Sequence, residues 1–451
     1  MSVVEVAAEV AAEAEDQAGV LPVPLADLAG VPMPAYVYDV AEVRRNHERL
    51  RAALPDRAGL FYSLKANPHP ALLTTLRACG ARPEVCSTGE LDAALEAGWD
   101  PADALYTGPG KSDAEIRDAL TRGVRLFSVD SPYAIEQLDR LAAERDVTAR
   151  CLLRINDDQP VPGQGLVMTG VASQFGADIG WVTAEPERFT DRPRAEVVGL
   201  HLYMGTNLTD VDSLYGQFER SLATARRLTE LLAGHGVQIR VLDLGGGFGA
   251  PFAKAGAAVD LAALRPRLQE LFDDELPGWG DGAPEVVFES GRYLVGTAGT
   301  LVTPVLDVKR SQGKDIVVLA SGIHHLGGMS GLRRLPVLAP HVVRAAAGPG
   351  SAPELDAIVV GPLCTPLDTW ARGAKLPALS PGDLVAVPNV GAYGMYASLI
   401  GFLGHPLPAE AVVDSDRPGA APVTTRVSLT RAPVSTEFEE SEESDPIPGV
   451  N

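Results

Sequence analysis

Cysteine is scarce. The 451-residue chain carries four, Cys79, Cys86, Cys151 and Cys364. Their spacing fits neither a disulfide framework nor a metal-ligand motif, which excludes a disulfide-stapled secreted scaffold and fits a reducing cytoplasm. Basic residues are also short: 38 Lys and Arg stand against 59 Asp and Glu, for a formal net charge of -21. That balance argues against nucleic acid and anionic membranes as partners. No apolar run is long enough to span a bilayer. The first stretch, MSVVEVAAEVAAEAEDQAGV, is acidic and lacks the positive start of a secretory signal. We read residues 1–25 as a flexible leader and the acidic 426–451, with STEFEESEESDPIPGVN, as a disordered tail.

A chain of this length exceeds what one core usually serves, so two domains are expected. Eight short apolar runs follow one another: LFYSLK (60–65), PEVCS (83–87), ALYTG (104–108), RLFSVD (125–130), ARCLLRI (149–155), EVVGLHLY (196–203), IRVLDLG (239–245) and EVVFES (285–290). Amphipathic stretches such as SDAEIRDALTRG (112–123) lie between them. Eight strands with intervening helices predict an α/β fold, a (β/α)8 TIM barrel over residues 46–298. An open doubly wound sheet explains the alternation equally well. After residue 299 the runs have turn residues between them and few helix-length gaps, which predicts a mostly-β domain over 299–425. Residues 26–45, with AYVYDV, are expected to join it.

FYSLKANPHP (61–70) ends an apolar run on a lysine, Lys65. Lysine is rarely buried unless paired or chemically used. In a barrel the active site lies at the C-terminal strand ends. Those ends carry Lys65, Glu84, Ser87, Arg154, His201, Tyr203, Gly245, Gly246, Gly247, Glu289 and Arg292. Each alone has a bland reading as a snorkelling lysine, a core histidine or a glycine turn; their shared location argues for a site. LDLGGGFGA (242–250) fits a dinucleotide fingerprint, but Pro251 follows at once and the strand is late in the chain, so that reading is weak. Glycines there still admit an anion, and Arg292 can supply a charged fork to it. A lysine, a phosphate cradle and a carboxylate match the needs of pyridoxal 5'-phosphate.

YSLKANPHP, EVCSTGEL, LRIN, SQFGAD, GLHLYMGTN, DLGGGFG, ESGRYLV, GPLCTPLD and VGAYGMYAS resemble, in order, the motifs of fold-type III pyridoxal phosphate decarboxylases, the diaminopimelate and ornithine/arginine decarboxylase group. The resemblance covers about residues 30–405. It implies an alanine racemase-like barrel, with Lys65 as the Schiff-base lysine and Glu289 at the pyridine nitrogen. It further implies Gly245, Gly246, Gly247, Thr206, Arg292 and Tyr393 around the phosphate, with Glu84 and Arg154 near the ring. Cys364 resembles the catalytic cysteine that enters from the second subunit of a homodimer to protonate the carbanion.

Two departures stand out. The run His201-Leu202-Tyr203 puts Tyr203 where the family stacks an imidazole on the ring. Thr365 stands where diaminopimelate and ornithine enzymes place an acid for the distal amine. An unpaired buried charge is costly, so free diamino acids are expected to be poor substrates. SGIHHLGGMSGLRRLPV (321–337) is similar to a branch in secondary metabolism and siderophore assembly, which includes decarboxylases of carrier-bound substrates. Arg333 and Arg334 would meet an acidic substrate group if this loop borders the pocket; the alternative is a pair of solvated charges. The expected partner is a small amino-acid-type substrate, with a carrier protein as the other presenter; the acidic net charge favours the small one. His324-His325 has no third ligand in register, and neighbours on a strand point to opposite faces, so no metal is expected. An amino-acid racemase on the same fold and a non-catalytic cofactor-binding homologue are the alternatives. Glu289 opposes the first, since those racemases place an arginine at the ring nitrogen. Lys65 and Cys364 oppose the second.

Overall fold

The computed structural model describes residues 21–158, 170–327, 340–345 and 355–432. Strand β1 (Ala35–Asp39) precedes the barrel. The barrel strands are β2 (Gly59–Ser63), β3 (Arg82–Val85), β4 (Leu105–Tyr106), β5 (Leu126–Val129), β6 (Ala149–Asn156), β8 (Ala195–His201), β9 (Val241–Asp243) and β10 (Glu285–Ser290); the short β7 (Ala177–Asp178) adds to the edge of β6. All eight pair in parallel. The β10–β2 and β5–β6 pairings close the ring, which rules out the open sheet. Each expected apolar run holds one of these strands.

The helices between them form where the sequence stops, starts and faces them correctly. Asp113–Arg122 shows this. Ser112 and Glu115 make a reciprocal capping box, Gly123 ends the helix at φ 108°, and Ile116, Ala119 and Leu120 bury one face. Replacing Ser112 by alanine removes a cap that typically contributes about 1 kcal/mol.

Phe61, Leu105, Leu126, Leu152, Val198 and Val287 form an apolar plug inside the barrel, with Val241 against it. Side chains alternate along a strand, so a residue two places on faces the same interior. Two places beyond Phe61, Leu105, Leu126, Leu152, Val241 and Val287 stand Ser63, Thr107, Ser128, Arg154, Asp243 and Glu289. An apolar floor thus carries a polar tier at the C-terminal mouth.

The second sheet contains β11 (Gly299–Ser311), β12 (Lys314–Leu319), β13 (Val343–Arg344), β14 (Leu355–Val360), β15 (Thr369–Leu376), β16 (Leu384–Val387), β17 (Ala409–Val413) and β18 (Val423–Thr425). The order is β15-β14-β12-β11-β1-β17-β18, with β16 bridging β11 and β13. Strand β1 lies between β11 and β17, antiparallel to the first and parallel to the second. The parallel pairing of β12 with β14 sends the loops that follow them out at the same end of the sheet. Bonds that join the sheet to the barrel mouth include Tyr393 N–H to Ala66 O (2.8 Å), Asn67 Nδ2 to Gly391 O (2.8 Å) and Asn389 Nδ2 to Lys254 O (2.7 Å).

Candidate active site

Strand β2 ends at Ser63, two residues before the expected end, and Leu64–Ala66 turns as a 3-10 segment. That turn releases Lys65 from the ladder into a pocket at the barrel mouth. Lys65, Tyr203, Thr206, Gly246, Gly247, Glu289, Arg292 and Tyr393 all line it, together with Ser63, Asn207, Phe248, Ser290 and Gly291. Glu84, Arg154, His201 and Gly245 stand behind this lining. Lys65 Nζ is 3.5 Å from Glu84 Oε1, which also accepts from Thr107 Oγ1 at 2.5 Å. Glu289 Oε1 is 3.4 Å from His201 Nε2, and His201 Nδ1 lies 2.9 Å from Ser128 Oγ. Arg154 is buried and spans the rings of Phe175 (4.6 Å) and Tyr203 (5.8 Å).

The charges in this tier separate by environment. Burial alone would raise Glu84, but Lys65, the Ser63 and Thr107 hydroxyls and Arg154 hold its carboxyl below the usual value. Burial, then Glu84 and Asp243, push Glu289 well above its ordinary value. Burial pushes Asp243 up to about 7 against the bond it accepts from Gly245 N–H. Lys65 is half-exposed; the enclosing pocket walls disfavour its ammonium, yet Glu84 and Glu289 prevail and hold it above its usual value. Burial, followed by Arg154, Lys65 and Lys111, keeps His201 neutral.

His201, Asp243 and Glu289 approach closely enough to hold a metal ion, within 4.8 Å. No ion is needed to account for the trio, since His201 already meets Ser128 and Asp243 accepts from Gly245 N–H. Sequence reasoning passed over Asp243, Ser128, Thr107 and Ser63, although their two-residue offset from the plug residues marks them.

The far side of the pocket suits an anion. Among the described residues, the N–H groups of Gly246 and Gly247 donate to no protein acceptor, and Arg292 has no carboxylate partner. Its guanidinium rests 4.8 Å from the Tyr393 ring. Gly245 and Gly247 adopt φ of 68° and 102°, which favours glycine. Gln217 Nε2 donates to Gly246 O at 2.9 Å and supports the loop from behind. Tyr393 itself sits at φ 55°, a conformation costing on the order of 1 kcal/mol or more and held by its bond to Ala66. Glu289 Oε1 is buried without a hydrogen bond, and such orphans call for a partner. An amine, an anion cradle and an orphaned carboxyl fit the aldehyde, phosphate and ring nitrogen of pyridoxal phosphate.

The comparisons with known proteins agree. Residues 40–296 match the family model described as pyridoxal-dependent decarboxylase, pyridoxal binding domain. The chain belongs to the pyridoxal-dependent decarboxylase family. It is 32% identical over 386 residues to the L-glutamyl-[BtrI acyl-carrier protein] decarboxylase of Niallia circulans, covering 84% of this chain and 88% of that one. It is 33% identical over 367 residues to the diaminopimelate decarboxylase of Pseudomonas aeruginosa, covering 81% and 84%. The crystal structure of Helicobacter pylori diaminopimelate decarboxylase complexed with L-lysine superposes with a TM-score of 0.74 at 25% identity, over 86% and 93% of the two chains. This pyridoxal-dependent decarboxylase is therefore a carboxy-lyase, and the racemase alternative falls.

Cys364 and Thr365 belong neither to the lining of this pocket nor to the barrel residues behind it. Cys364 is exposed on the loop after β14, and Thr365 follows it. Arg333 lies outside the described residues. Contrary to the expectation from sequence, His324 and His325 do not lie on a strand. The pair sits in a turn, with ring centroids 3.7 Å apart. His325 bonds Ser321 Oγ and Pro406 O.

Proposed function

We propose that this decarboxylase removes the α-carboxylate of an amino-acid-type substrate whose distal end carries no free cation. Thr365 supports the reading most directly. A distal ammonium needs a buried carboxylate partner; losing one member of such a pair costs about 3–5 kcal/mol, or about two to four powers of ten. A hydroxyl brings no charge to meet it. The Niallia relative is named for a glutamyl group on an acyl-carrier protein, which is a distal end of the expected kind. A small soluble substrate is favoured here, because the net charge of -21 opposes an acidic carrier.

In this reading Lys65 anchors the cofactor. Gly245–Gly247, Thr206, Arg292 and Tyr393 hold its phosphate, Tyr203 covers its ring face, and Glu84 and Arg154 flank it. Glu289 faces the ring nitrogen, with His201 behind it. Bound pyridoxal phosphate supplies an electron sink. When carbon dioxide leaves, the Cα keeps the electron pair, and Cys364 Sγ–H gives it a proton before recovering one from solvent. Cys364 reaches the pocket of the partner in a homodimer. Exposed Leu367 (69%), Leu403 (52%), Leu399 (44%) and Phe402 (41%) on neighbouring loops support an apolar contact there. Four unbridged thiols fit a cytoplasmic, biosynthetic enzyme.

Carbon dioxide release from free diamino acids, acylated derivatives and carrier-loaded amino acids tests the specificity. Acylated or carrier-loaded substrates should lead by at least about two powers of ten. Efficient turnover of free ornithine, lysine or diaminopimelate would sink the reading. Borohydride should fix the cofactor on the Lys65 peptide; a label on Lys111 or Lys254 would refute the anchor.

A further inference from the structure

The Cys364 loop is tied to its neighbour by a single buried side chain. Asp368, 2% exposed, accepts Ile323 N–H on Oδ1 (2.8 Å) and Leu363 N–H on Oδ2 (2.9 Å). The first donor belongs to the loop after β12, the second to the residue before Cys364. Asp368 N–H donates to Thr365 O, and Gly361 N–H to Asp368 O, closing the loop on itself. Gly322 and Gly361 flank the carboxylate so tightly that a Cβ on either would collide with its oxygens. Four residues of two loops are thus packed around one carboxylate. A carboxylate that accepts two backbone N–H groups makes charge-assisted bonds, roughly twice the strength of neutral ones. No salt bridge reaches Asp368 among the described residues, so the two amides, ahead of a weaker influence from His405, offset its burial.

We infer that Asp368 is a positioning residue for the reaction: it holds the Cys364 loop in register with the 321–327 loop, so that Sγ meets the substrate carbon in the partner's pocket. The inference rests on the proposed role of Cys364. The pocket that binds the cofactor is built from the barrel and Tyr393, and Asp368 is no part of it. A fault at Asp368 therefore reaches proton return and leaves cofactor binding untouched.

Asp368→Asn tests this at constant volume, because its amide sets a donor against one backbone N–H. In the full-length holoenzyme, kcat should fall about 10–100-fold, the usual effect of a misplacement near 1 Å. KM, cofactor content and borohydride labelling of Lys65 should hold. Hybrid dimers then assign the fault to one side of the site. Asp368→Asn chains mixed with Lys65→Ala chains should regain activity, since one pocket then combines an intact Lys65 with an intact Cys364 loop. Mixing with Cys364→Ala chains should give no gain. The reverse pattern overturns the inference. So does an unchanged kcat, or a variant that loses its cofactor or its cooperative melting, because Asp368 then serves global stability. The control is Lys65→Ala mixed with Cys364→Ala. If that pair fails to complement while subunit exchange is verified, the cross-subunit role of Cys364 fails and the inference falls with it; if that pair complements and the Asp368→Asn homodimer keeps its kcat, the inference alone fails.

Discussion

At the scale of single residues, this site is made by what each side chain is denied. Among the described residues, Glu289 has an orphaned oxygen, Arg292 lacks a carboxylate, and the Gly246 and Gly247 amides lack acceptors. A bound cofactor meets all of these needs together. Gly246 shows how little room the arrangement has. A Cβ there would stand 2.5 Å from Glu289 O and 3.4 Å from the Tyr203 ring. Overpacking of this kind costs about 1–3 kcal/mol, so Gly246→Ala should weaken cofactor affinity roughly 5–150-fold. Equilibrium titration of the apoprotein measures it. Gly280→Ala, where a Cβ meets nothing within 4 Å, is the control and should bind normally. Equal affinity in both variants would refute the cradle. Lys65, Glu289 and Arg292 are legible from sequence because charge at the end of an apolar run needs a reason. Asp243 and Ser128 are not, because one polar residue in a strand has many bland explanations until the barrel interior is known.

At the scale of elements, the eight strands are legible in the sequence, and their ends are less so. The apolar run continues to Leu64, but the ladder stops where its partners stop: Tyr62 pairs with Ser290, and Ser63 with Glu84. That early stop turns Lys65 into the pocket. AYVYDV places β1 in the later sheet, but not its position between β11 and β17, since pairing across some 260 residues of chain leaves no local trace. Its Tyr38 and the later Tyr396 both donate to Glu410 on β17, at 3.2 and 3.1 Å. Burial, opposed by these two hydroxyls, raises Glu410 from 4.5 to about 7. The native state therefore holds this proton more tightly than the unfolded chain does. The contribution is complete below about pH 4.5 and is lost as pH rises through about 7, at an upper limit of about 3 kcal/mol. Glu410→Gln mimics the protonated form. Its melting temperature should match the wild type near pH 4.5 and exceed it at pH 8. A difference independent of pH would show that Glu410 does not titrate in this window.

At the scale of the whole molecule, the chain divides its chemistry. The barrel and the β11-to-β17 sheet meet at Tyr393, which completes the pocket of the same chain. Cys364 stands exposed on the loop after β14, and Leu367, Leu399, Phe402 and Leu403 are exposed apolar residues of the same domain. In the proposed dimer, cofactor binding is a property of one chain, while proton return through Cys364 needs two. Dilution separates the two functions. As the protein falls below its dimer dissociation constant, activity per chain should decline in step with the loss of dimer seen by sedimentation. The cofactor should stay in place, because every residue that lines its pocket remains. Linkage sets the reverse expectation as well: a substrate that touches both subunits binds the dimer better than the monomer, so saturating substrate should shift the dissociation midpoint to lower protein concentration. Activity per chain that stays constant down to the monomer would mean that another group of the same chain returns the proton. The acid–base role would then pass from Cys364 to the polar tier at the barrel mouth.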